Sequence, residues 1–145
     1  MDSEYDLIIF TDGSGASSFC GGKACAVVTE DGKTPTEVIY REYADKLTCN
    51  EAEYYGVILA LEEQLSHRKI KIISDSMLIV NQLKTENPWK INFEHLKNLN
   101  QSVRDIISNF ELEVNFEHVS RDHNLAGLYI EGRLMVSNDI ITRRE

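Results

Sequence analysis

The chain has 145 residues, 42% of them hydrophobic, with two prolines and no low-complexity stretch, which suits one domain over residues 1–145 with a core of its own. No apolar run approaches the ~20 residues that span a bilayer, and the acidic start MDSEYD lacks the positive region of a secretory signal, so no membrane partner and a cytoplasmic location are expected. Cys20, Cys25 and Cys49 include no CxxC pair and indicate neither a disulfide framework nor a zinc knuckle; a formal charge of −9 repels polyanions at long range unless bound cations invert the field locally.

Residues 5 to 11 (YDLIIFT), 24 to 29 (ACAVVT) and 37 to 44 (EVIYREYA) predict three strands separated by Gly-bearing segments, a meander. From 50 to about 65 the apolar positions Tyr55, Ile58, Leu59, Ala60 and Leu65 recur at helical spacing. An isoleucine-rich strand follows at 69 to 74, then a short helix near 76 to 84. Asn87-Pro88 separates it from a stronger helix, in which Phe93, Leu96, Leu99, Val103, Ile106, Ile107 and Phe110 step by threes and fours. Residues 112 to 118 alternate as a strand with one buried face, and 125 to 136 can close the chain as a helix. The order βββαβααβα predicts a mixed five-stranded sheet with helices on its faces.

Acidic residues stand at telling points of this layout. Asp12 ends the first strand (LIIFTDGSG), Glu53 lies at the start of the first long helix (TCNEAEYYGVILAL) and Asp75 ends the fourth strand (KIKIISDS). Residues beyond the carboxyl ends of such strands converge on a crevice. A lone Asp at a strand end is commonly a turn former or a helix cap. Carboxylates packed together without a counter-ion repel and raise one another's pKa, whereas three or four of them suit a pair of hard cations such as Mg²⁺.

These motifs resemble type 1 ribonuclease H over nearly the whole chain. FTDGSG is similar to the family's first motif, which implies Asp12 as a metal ligand with Gly13 and Ser14 in the turn beside the substrate. Thr48-Cys49-Asn50-Glu51-Ala52-Glu53 is similar to T-N-N-x-A-E, with Cys49 in place of the first Asn; the match selects Glu53 over Glu51. It makes Asn50 a contact to the nucleic-acid minor groove, with a helix-cap role the structural alternative. IISDSMLIVNQL resembles the third motif, with Asp75 as ligand and Ser76 opening a helix. The resemblance implies a ribonuclease H-like fold, hydrolysis of the RNA strand of RNA/DNA hybrids, and two Mg²⁺ ions, or Mn²⁺ in their place, held about 4 Å apart.

The fourth motif departs. The family's R-x-x-N-x-x-A-D is met by Arg121-Asp122-His123-Asn124-Leu125-Ala126-Gly127, one residue shorter and with glycine at the aspartate position. Glu131, one helical turn on, is the candidate for the missing ligand, with Asp122 as another and a solvated helix position as the plain alternative. His123 is a candidate for proton transfer or product release, or an ordinary loop histidine; His118 reads as a core or rim residue. Asn124 is assigned to the substrate side by the motif. Trp89 and Lys90 could stack on and pair with the DNA strand, or Trp89 could anchor its loop. The protein is expected to be a monomer, with no separate hybrid-binding domain ahead of Asp12. Two other classes fit less well: a module on this fold that binds nucleic acid without cutting it, and a different nuclease of the wider superfamily.

Overall fold

The computed structural model describes residues 4–17, 21–137 and 140–144. Strand β1 (Leu7–Ser14) shows why the pattern was legible: Leu7 and Ile9 enter one core and Phe10 enters another on the opposite face, as successive side chains of a strand must. β2 (Lys23–Thr29) and β3 (Pro35–Glu42) continue antiparallel, forming the expected meander. β4 (Lys69–Ser74) lies parallel to β1, and β5 (Glu113–His118) parallel to β4. Helices α1 (Cys49–Leu61), α2 (Met77–Leu83) and α3 (Glu94–Asn109) supply Tyr54, Val57, Ile79, Leu83, Leu96 and Val103 to the Ile9 face. The opposite face is covered by α4 (Leu125–Ile130), through Ala126. The mixed sheet with helices on its faces is the expected fold.

Three departures have physical causes. A sixth strand, β6 (Ile141–Arg144), adds parallel to the outer edge of β3, giving the order β5-β4-β1-β2-β3-β6; four residues are too few for alternation to announce a strand. α1 ends at Leu61, not near 65, and Leu65 is left 65% exposed. The last helix stops at Ile130, not 136. There Gly132 takes φ +74°, its N–H donates to Tyr129 O, and the Arg133 N–H donates to Leu128 O. That is a Schellman C-terminus, and the left-handed residue is a glycine because a Cβ penalises that conformation.

A buried polar network ties the helices on the Ile9 face. Tyr54 Oη donates to Gln82 Oε1 (2.6 Å), and Asn100 Nδ2 donates to Tyr54 Oη (3.1 Å) and to the Gln82 carbonyl (3.2 Å). Arg104 closes it by donating to Asn100 Oδ1 and the Gln82 carbonyl. Satisfied networks of this kind specify one arrangement of the elements that carry them, here α1, α2 and α3. Among the described residues no helix is long and apolar enough to cross a membrane.

Candidate active site

Parallel pairing sets Phe10 opposite Ile73, so two residues further on Asp12 comes level with Asp75. Both project to the α4 side of the sheet by the two-residue alternation. β4 stops at Ser74 while β1 runs on beside β2, with Asp12 opposite Cys25, and the gap that opens beyond β4 is the crevice. Ser76 turns the chain away from it as the cap of α2, its Oγ accepting from the Ile79 N–H.

Glu53 arrives from the other side of the sheet. Thr48, not Asn50, caps α1: its Oγ1 accepts from the Glu51 N–H while Glu51 Oε1 accepts from the Thr48 N–H, a capping box. Glu51 is thereby committed to the helix start, which leaves Glu53 for the crevice. Two glycines let α1 approach closely enough. A Cβ on Gly13 would lie 2.1 Å from the Ala52 carbonyl carbon, and one on Gly56 would lie 2.8 Å from the Asp12 carbonyl oxygen. The Gly13 N–H donates to Glu53 Oε1, fixing the carboxyl group.

The result is a cluster in which one oxygen from each of Asp12, Glu53 and Asp75 lies within 4.8 Å of the others. Asp12 and Glu53 are only 2% and 8% exposed. Burial raises the Glu53 pKa well above the carboxylate range, helped by the Asp12 charge, and Glu53 shares a hydrogen bond with Asp12. Asp12 is also raised, again chiefly by burial. Asp12 Oδ2 and Asp75 Oδ2 are buried with no hydrogen-bond partner among the described residues. Buried, unpartnered carboxylate oxygens are costly, and they fit a hard cation that takes oxygen ligands.

Gly127 sits over those two oxygens: a Cβ there would lie 3.2 Å from Asp12 Oδ2 and 3.6 Å from Asp75 Oδ2. The position at which a fourth carboxylate was missed in the sequence is thus also its position in space. Glu131 does not join the cluster. It caps the C-terminus of α4, and its carboxylate is held by Arg121 Nε at 3.1 Å and Arg133 Nη1 at 3.4 Å. Arg121 in turn places Nη1 3.7 Å from Asp75 Oδ2. Asp122 and His123 are exposed, with His123 Nδ1 2.7 Å from Ser120 Oγ.

Asn124 is fully buried. Its Nδ2 donates to the Thr11 carbonyl and its Oδ1 accepts from the Ala126 N–H, so it pins α4 to β1 beside Asp12 and is no part of the surface a substrate would touch. Gly13, Ser14, Asn50 and Ser76 are partly exposed, while Trp89 is 47% exposed and His118 stands exposed at the end of β5. Sequence reasoning gave no role to Arg121 or to Gly56. A cation opening the fourth motif was the available sign of the first; the spacing of three residues from Glu53, less than a helical turn, was the sign of the second.

The RNase H family model matches residues 4–132. The chain belongs to the RNase H family. Among solved structures it resembles LC11-RNase H1 in complex with an RNA/DNA hybrid (26% identity, TM-score 0.71, covering 81% of this chain and 88% of that one). It also resembles the N-terminal RNase H domain of a Mycobacterium tuberculosis protein (29% identity, TM-score 0.69, 83% and 91%). The fold is shared with RNase H1 of Halobacterium salinarum (22% identity, TM-score 0.70, 87% and 98%). Comparison with curated protein sequences finds no match.

Proposed function

We propose that this RNase H family member is an endonuclease that hydrolyses the RNA strand of RNA/DNA hybrids with the help of divalent cations. The observation that carries the reading is the trio Asp12, Glu53 and Asp75, gathered within 4.8 Å in the fold of an RNase H1 that binds such a hybrid. The oxygen-only donor set, with two buried oxygens that have no hydrogen-bond partner among the described residues, suits Mg²⁺ or Mn²⁺. Two such ions, when bound by Asp12, Glu53 and Asp75, would supply charge neutralisation and an activated water for phosphodiester hydrolysis.

The chain's own groups account for the rest. Glu53 is held in place by the Gly13 N–H, and binding a cation requires loss of the proton that its burial favours. Gly13, Ser14, Asn50 and Ser76 are partly exposed and would offer backbone groups and short polar side chains to a sugar-phosphate backbone; RNA is told from DNA by such contacts to its 2′-hydroxyls. His123, exposed in the turn before α4, would serve to exchange protons with departing product.

An internally labelled, end-blocked RNA/DNA hybrid, beside matched duplex RNA and an unblocked hybrid, tests the reading. Internal cuts in both hybrids and none in duplex RNA are expected. Degradation of the unblocked hybrid alone would make the protein an exonuclease, and hybrid binding without cleavage would make it a binding module.

A further inference from the structure

Arg121 occupies an unusual position for a cation beside a site built to attract cations. Its Nη1 lies 3.7 Å from Asp75 Oδ2, within ion-pairing range but beyond a hydrogen bond, and that oxygen is one of the two with no hydrogen-bond partner among the described residues. The guanidinium is held at this distance from the other side, because its Nε is bonded to Glu131 Oε1 at 3.1 Å. Glu131 is anchored by Arg133 through its second oxygen and by the Schellman turn that fixes it at the end of α4. Gly127, beside the same Asp12 and Asp75 oxygens, brings no side chain to them.

We propose that Arg121 is a built-in competitor for the cation site, and that Glu131 is a positioning residue that tempers this competition by drawing the guanidinium away from Asp75. The inference rests on the reading of Asp12, Glu53 and Asp75 as cation ligands. With three carboxylates and no fourth at Gly127, a fixed positive charge near Asp75 has a large share in setting the affinity. A charge of +1 facing a charge of +2 across a few ångströms weakens binding on the order of tenfold, even at near-aqueous dielectric. Arg121 is 58% exposed along its side chain, so it can swing to solvent, or to a phosphate, when a cation takes its place.

The test is a titration of each variant with Mn²⁺ alone, counting free ion by electron paramagnetic resonance, with hybrid cleavage by the wild type measured in parallel. Arg121→Gln should tighten Mn²⁺ binding by about tenfold, and Arg121→Lys, which keeps the charge, should stay much nearer the wild type. Glu131→Gln should weaken it several-fold in the wild-type background and leave it nearly unchanged in the Arg121→Gln background, because its effect passes through Arg121. Equal weakening in both backgrounds would make Glu131 a direct ligand and overturn the proposal. So would unchanged affinity in Arg121→Gln, and in either case continued hybrid cleavage by the wild type would leave the functional reading standing. A wild type that takes up no Mn²⁺ would overturn both.

Discussion

Gly56 lies against the main chain of Asp12, with room for no side chain: a Cβ there would come within 2.8 Å of the Asp12 carbonyl oxygen and 3.3 Å of its carbonyl carbon. This contact, with that of Gly13 on Ala52, sets how near α1 comes to β1, and so whether Glu53 meets Asp12. Gly56→Ala should therefore destabilise the protein even though alanine favours a helix by about 1 kcal/mol. Overpacking against backbone costs about 1–3 kcal/mol; a lowered urea midpoint, with a loss of cleavage larger than the loss of folded protein, is the expected outcome.

The cluster should make the cation-free protein less stable as pH rises. Glu53 and Asp12 have folded pKa values above their ordinary values of 4.5 and 3.8, chiefly through burial. The folded state then holds protons that the unfolded state has lost, and stability falls with increasing pH above about 4 to 5, where the unfolded carboxyls titrate. Thermal melts in chelator across pH 5 to 8 should show this fall. Glu53→Gln, which removes the ionisable group but keeps an acceptor for Gly13, should flatten it.

Gly127→Asp would add a carboxylate above Asp12 and Asp75. Its Cβ at 3.2 Å from Asp12 Oδ2 requires only a small shift of a side-chain oxygen. In chelator the variant should melt below the wild type, because a like charge is added to a buried cluster; with Mn²⁺ it should bind on the order of tenfold more tightly. Melting curves with and without Mn²⁺ check both signs.

Asn124→Ala removes the bond to the Thr11 carbonyl that fastens α4 to β1 and the bond that caps α4 at the Ala126 N–H, both buried, a loss of about 1–3 kcal/mol. Because Thr11 adjoins Asp12, cleavage should fall further than the stability change explains, visible as a lower kcat in fully folded protein.

Most of the fold and three of the site residues were legible in sequence because they rest on local regularities. β4 was expected at 69 to 74 and observed at Lys69–Ser74, since Ile70, Ile72 and Ile73 face buried surroundings and Asp75 follows at once. Asp12, Glu53 and Asp75 could be placed together because strand ends converge in such sheets and because the motifs that carry them resemble those of ribonuclease H. Arg121 could not be read in this way: its position depends on a partner ten residues on and another across the crevice, Glu131 and Asp75, which only the folded chain brings near. Glu131 does stand one turn after Gly127, its N–H donating to the Gly127 carbonyl, but its carboxylate is taken by Arg121 and Arg133, which spacing alone could not reveal. Asn124 sits in a recognisable motif, yet only its burial shows that it pins the scaffold.

The central claim is that Asp12, Glu53 and Asp75 form a cation-dependent nuclease site. The most direct measurement is cleavage of one RNA/DNA hybrid by the wild type with Mg²⁺ or Mn²⁺, beside the same reaction in chelator and with Asp75→Asn. The expected result is cleavage of the RNA strand that is abolished by the chelator and reduced at least a hundredfold by the substitution, in line with the loss of charge stabilisation at a reacting centre. Cleavage that persists in chelator, or in folded Asp75→Asn at an undiminished rate, would contradict it.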